Sequence, residues 1–97
     1  MRVFLNGQNP FLSADTMKKL VTARSREPAY ALGWLVEELP WAGGQALMHD
    51  GSNTMWYATA IVAREKGLAA VAVSNEGTDR ASSAVHTLAR ELLERVS

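Results

Sequence analysis

The chain has 97 residues, ten basic against ten acidic side chains, no cysteine, and a hydrophobic fraction of 47%. One domain over residues 1–97 with a single modest core is the expectation, and the cancelled charge offers no footprint for nucleic acid or a membrane surface. Disulfides and thiolate metal sites are excluded, no apolar run reaches the roughly 18 residues needed to span a bilayer, and no signal peptide is legible, so the compartment stays open.

In chain order, residues 8–13 hold a turn around Asn9-Pro10. Ser13 reads as an N-cap, with Leu12 and Met17 spaced as a hydrophobic staple around it. The helix it starts is predicted from Ala14 to Arg24, burying Met17, Leu20 and Val21, with Pro28 setting its latest end because a residue before proline disfavours helix. Tyr30 to Leu39 alternates, with Leu32, Trp34 and Val36 on one face, and reads as a strand. Pro40-Trp41-Ala42-Gly43-Gly44 is a turn cluster. A short strand from Gln45 to His49 pairs back as a hairpin and is broken by Gly51-Ser52-Asn53.

The segment Thr54 to Arg64 supports two readings. Its alanines favour a helix ended at Gly67. Thr54, Trp56, Thr59, Ile61 and Val62 favour a strand, with Arg64-Glu65-Lys66-Gly67 as the following turn. Leu68 to Ser74 is apolar on both faces and reads as a central strand. Thr78 or Asp79 then caps an amphipathic helix over 80–96. Ala81, Val85, Leu88, Ala89, Leu92, Leu93 and Val96 share one face, and Arg80, His86, Arg90, Glu91 and Glu94 lie largely elsewhere. The expected fold class is α+β: an antiparallel sheet of about four strands with an N-terminal and a C-terminal helix. Two helices on one face of such a sheet leave the other apolar face bare. The chain is therefore expected to self-associate, most simply as a homo-oligomer, or to form part of something larger.

The polar stretch Met48-His49-Asp50-Gly51-Ser52-Asn53 is the candidate site. It cannot be a self-contained Ser-His-Asp triad. Neighbouring strand residues point to opposite faces, so Asp50 cannot orient the imidazole of His49. No Gly-x-Ser-x-Gly elbow exists. Metal is not expected either, since His49 and His86 are the only histidines and lack ligand spacing. No cofactor is implied. On spacing alone His49 is a strand-end residue beside a turn, and His86 a solvated helix residue. The tryptophans read as core, with Trp41 the most exposed.

The order Tyr30-Ala31-Leu32-Gly33-Trp34, then His49-Asp50-Gly51-Ser52, then Val73-Ser74-Asn75 and an amphipathic helix resembles the C-terminal end of the serine β-lactamase and penicillin-binding-protein superfamily. The nearest likeness is to its class C β-lactamase, D,D-peptidase and esterase branch. It covers nearly the whole chain, and Phe11 to Leu20 is similar to that branch's helix before its Tyr-Gly-x-Gly-Trp strand. The resemblance implies that His49, Asp50 and Gly51 fall on a Lys-Thr-Gly or His-x-Gly active-site strand. His49 would then be an electrostatic or proton-handling group. Asp50 and Gly51 would face substrate, and Ser52 would contribute its backbone N–H to an oxyanion hole. Two departures stand out. Asp50 replaces a hydroxyl residue that sits near the substrate carboxylate, which favours an esterase or amidase. The family's Ser-x-x-Lys and Tyr-x-Asn motifs are absent. The resemblance thus implies the C-terminal third or quarter of a serine hydrolase, with a small ester, amide or β-lactam as substrate of the whole protein. A stand-alone self-associating module without chemistry is the alternative from another class. A third, an αβα unit outside this family, takes 54–66 as helix.

Overall fold

The computed structural model describes residue 4 and residues 11–26 and 29–96. The turn at Asn9-Pro10 and the Pro28 stop lie outside the described residues. Helix α1 is Ala14–Val21, and the four strands are β1 (Leu35–Leu39), β2 (Gly44–Ser52), β3 (Tyr57–Ala63) and β4 (Leu68–Ser74), followed by helix α2 (Asp79–Val96). The strands form one antiparallel sheet in the order β1-β2-β3-β4, each paired with its neighbour in sequence. The fold is the expected α+β class.

Ser13 caps α1, its hydroxyl oxygen accepting from the Thr16 N–H at 3.1 Å. Leu12 packs against the apolar cluster that holds Met17, in keeping with the staple spacing. The helix ends at Val21, three residues short of the expected Arg24. Arg24 instead donates its N–H to the Tyr30 carbonyl at 2.8 Å, an extended pairing that a helix continuing through it would forbid. Strand β1 is also shorter than expected. Gly33 takes φ +91°, and Ala31 N–H donates to the Trp34 carbonyl across the turn this creates, so the alternation over 30–34 is not a strand's and Leu32 is exposed. β2 is longer than expected, because Gly51 and Ser52 continue its pairing with β3 rather than breaking it.

The ambiguous segment resolves as a strand. Tyr57–Ala63 is paired on both sides, with β2 and with β4, so its backbone groups are used in ladders. Thr54, Met55 and Trp56 fall in the connection before it.

The two helices lie on opposite faces, which corrects the expectation that they share one. Successive residues of β2 and β3 alternate between two cores. Ala46, Ile61 and Ala63 pack with Val85, Ala89 and Leu93 of α2. Leu47 and Val62 pack with Met17 and Val21 of α1 and with Val36. The sheet reads as apolar on both faces because each face has a helix to bury. Small side chains make the fit: Ala63, Ala72, Ala81 and Ala89 are all nearly inaccessible, so α2 sits close on the strands. Coverage is incomplete, however. α2 packs mainly on β3 and β4 and reaches β2 through Ala46 and the His86–Asp50 contact. On the same face, the β1–β2 half opens as a groove of about 780 Å³ between Leu35, Leu39, Trp41 and Met48 on the sheet and His86 and Arg90 on the helix. On the other face, Val71 and Val73 stay exposed beyond the reach of α1.

Candidate functional site

The four residues singled out in the sequence all lie on β2, but alternation divides them. His49 and Gly51 point to the α1 side, Asp50 and Ser52 to the α2 side. The structure therefore assembles two separate arrangements.

On the α1 side, β2 runs free of β1 just where the motif begins. The β1 ladder ends at Leu35↔Met48, whereas β3 pairs with β2 through to Ser52. Past Met48, β2 thus has a strand neighbour on one side only among the described residues. His49 sits at this transition. Its Nδ1 lies 2.8 Å from the Gly33 carbonyl oxygen. A carbonyl only accepts, so Nδ1 carries the proton and donates, and in the neutral ring the Nε2 lone pair is left available. The Trp34 indole meets the imidazole edge to face at 6.0 Å between centroids. Two residues on, a Cβ placed at Gly51 would meet nothing within 4 Å. Beside it lies a shallow groove of about 280 Å³, lined by Gly51, Ser52, Asn53, Trp56, Ala58 and Val73 among others. That volume is just below the range of complete small-molecule sites, and the groove is one wall rather than a closed pocket.

The connection after β2 is tightly built. Asn53 Oδ1 accepts from the N–H groups of Met55 and Trp56, at 3.0 and 2.9 Å. Ser52 Oγ accepts from Thr54 N–H at 3.1 Å and donates to the Trp56 carbonyl at 2.8 Å. The Ser52 hydroxyl is thus spent on the turn. Thr54 holds φ +73°, unusual for a β-branched residue. Gly77 packs against it so closely that an added Cβ would fall 2.4 Å from the Thr54 carbonyl carbon and oxygen. This turn displays Trp56, which is 56% exposed, whereas Trp41, expected to be the exposed tryptophan, packs half-buried against the α2-side core.

On the α2 side, Asp50 is the hub of a network that sequence reasoning missed. Its carboxylate accepts from Thr59 Oγ1 at 2.6 Å, from Tyr57 Oη at 3.1 Å, and from His86 Nε2, which lies 2.9 and 2.8 Å from the two oxygens. Burial works to raise the Asp50 pKa. The hydrogen bonds from Thr59 and His86, the His86 charge and the Tyr57 hydrogen bond together outweigh it and hold the carboxyl below its ordinary value. With Nε2–H donating to Asp50, His86 Nδ1 faces Ser82 Oγ at 3.4 Å. His86 is therefore a tether between α2 and β2 and not the solvated helix residue expected from its position. No local signal in the sequence could reveal this, because the partners are 36 residues apart.

Ser82, His86 and Asp50 follow the order of nucleophile, base and orienting acid, yet the arrangement lacks what acyl chemistry needs. The Ser82 contact is loose, and the serine lies in a regular helix. The nearby first-turn amides are already used: Ala81 N–H donates to Thr78 Oγ1 and Ser82 N–H to the Thr78 carbonyl. They cannot serve as an oxyanion hole. Among the described residues, no three His, Cys, Asp or Glu side chains converge as a metal site, and no helix is long and apolar enough to cross a membrane.

No protein-family model, no curated protein and no solved structure matches the chain.

Proposed function

We propose that this chain is the C-terminal segment of a serine hydrolase related to β-lactamases, contributing one wall of an acyl-transfer site whose nucleophile lies elsewhere in the protein. The observation that carries this reading is the open half of β2, where His49 and Gly51 share one face, Gly51 lines a shallow groove, and the strand has no neighbour on its β1 side among the described residues. An extended ester or amide substrate lies along such a strand at Gly51, where the missing side chain leaves it room. His49, with Nδ1–H fixed on Gly33, presents Nε2 to take up or return a proton. The Ser52 backbone N–H is the donor for a developing oxyanion, and its hydroxyl, engaged in the turn, takes no part. Asp50 does not face that groove. Its role in this reading is to anchor β2 to α2 through His86, which keeps the strand's register fixed while the other face works.

The test is the reading frame that encodes the chain. An in-frame Ser-x-x-Lys followed by Tyr-x-Asn upstream of Met1 is expected. In the protein containing both, His49→Ala should lower kcat by about 10²–10⁴, the usual worth of a positioned proton-transfer group. A frame without those motifs, or a full-length enzyme indifferent to His49→Ala, would sink the proposal. A second reading, a self-associating module without chemistry, is favoured by the outer edge of β4, which has no strand neighbour among the described residues.

A further inference from the structure

We propose that the outer edge of β4 and the adjoining flank of α2 form a self-complementary surface through which two copies of this chain join their sheets edge to edge. The inference rests on the second reading above.

Among the described residues the sheet has two edges, and only one of them is guarded. β1 is short and carries Glu37 and Glu38 at its centre, the kind of charge that discourages strand addition. β4, Leu-Ala-Ala-Val-Ala-Val-Ser, has no charge and no proline along its whole length. Such an edge is a template for another strand.

Apolar side chains flank this edge on both faces. Val71 and Val73, 55% and 71% exposed, project on the α1 side. On the other side stands α2, whose buried line is Ala81, Val85, Ala89 and Leu93. His86 leaves one flank of that line and reaches inward to Asp50 on β2. At about 100° per residue, Leu88 and Leu92 leave the opposite flank, so they project outward past β4. They are 50% and 47% exposed.

The spacing identifies the occupant. α2 packs across β3 and β4, so its axis runs a little inside the edge strand. With strands about 4.8 Å apart, a second β4 related by a two-fold axis brings its own α2 to about 10 Å from the first. Packed helices lie about 8–10 Å apart. A second copy thus supplies a strand to the edge and a helix to the flank in one step, bringing Leu88 and Leu92 of the two copies together. A lone strand from another protein would leave that helix flank in water.

Light scattering on the size-exclusion peak tests this from micromolar to millimolar concentration. The expected mass is twice that of the chain. Leu88→Glu with Leu92→Glu, and separately Val73→Lys, should each weaken the dimer at least tenfold, while Glu37→Lys on the other edge leaves it intact. Hydrogen exchange on the unaltered chain covers the case in which a variant misfolds: protection along Leu68–Ser74 should rise with protein concentration. A monomer throughout, a dimer indifferent to both β4-side changes, or exchange at β4 independent of concentration would each overturn the proposal.

Discussion

Replacing Asp50 by alanine tests the network that ties β2 to α2. Thr59 is 1% exposed, and its hydroxyl has the Asp50 carboxylate as its hydrogen-bond acceptor at 2.6 Å. Asp50→Ala leaves that hydroxyl buried without its acceptor, which costs about 1–3 kcal/mol. The hydrogen bonds from Tyr57 and His86 are lost too. The Asp50 side chain is 33% exposed, so each of these adds only about 0.5–1 kcal/mol after screening by solvent. The expected loss is about 2–5 kcal/mol, read by urea titration of tryptophan fluorescence. Thr59→Val in the same chain removes the orphaned hydroxyl and should return about 1–2 kcal/mol, a coupling that a double-mutant cycle isolates. The pH dependence has a definite sign. The Asp50 pKa is lower in the folded protein than in the unfolded chain, so the unfolded state binds the proton more readily as pH falls. The stability due to Asp50 is present above the ordinary carboxylate pKa, near 4, and is lost as pH falls through the depressed folded value. The gap between the native chain and Asp50→Ala should therefore be widest near neutrality and close in acid. A loss under about 0.5 kcal/mol, a double variant no better than the single one, or a gap that widens in acid would refute the reasoning.

Three further outcomes follow from the same geometry. His49 is exposed and its side chain bonds a loop carbonyl, so His49→Ala should cost no more than about 1 kcal/mol by denaturant titration; a loss of several would make it a structural residue. Gly77→Ala drives a methyl group into the Thr54 backbone, and neither segment can give way cheaply, so a loss at the upper end of overpacking, about 3 kcal/mol, is expected in the same assay. Incubated with a fluorophosphonate or a fluorescent penicillin, the chain should acquire no adduct by intact-mass spectrometry. Ser82 lacks oxyanion donors and Ser52 spends its hydroxyl on the turn, so a stoichiometric adduct on either would make this a hydrolase in its own right.

Strands and caps were legible in the sequence wherever the signal was local. Ser13 and Thr78 announced their helices through the short polar side chains that a first turn needs, and Ala81 to Leu93 showed the burial stripe of α2 by spacing alone. The end of α1 was not legible, because it depends on Arg24 finding a backbone partner in Tyr30. Nor was the break in β1, since Gly33 offers a positive φ without requiring it. The layer arrangement was missed for a related reason. Two-faced apolar strands show that both faces are buried, but which helix covers which face depends on the direction of the connections. At the site, the opposite orientation of His49 and Asp50 followed from strand periodicity, whereas the partnership of Asp50 with His86 depended on how α2 folds back over β3. Trp41 and Trp56 exchanged roles because both adjoin turns, and only the tertiary packing of the Pro40–Ala42 turn shelters the first.

The order β1-β2-β3-β4 has a kinetic consequence. Every pair of neighbouring strands is also consecutive along the chain, joined by a connection of only a few residues. Each ladder can close as a local hairpin, with little loop-closure entropy to overcome before its contacts form. The sheet has a low contact order for a β structure and should form faster than a sandwich of the same size. Because α2 follows β4 directly and lies back on β3 and β4, the unit from Leu35 to Val96 can assemble from its own contacts during synthesis, without waiting for a distant partner strand.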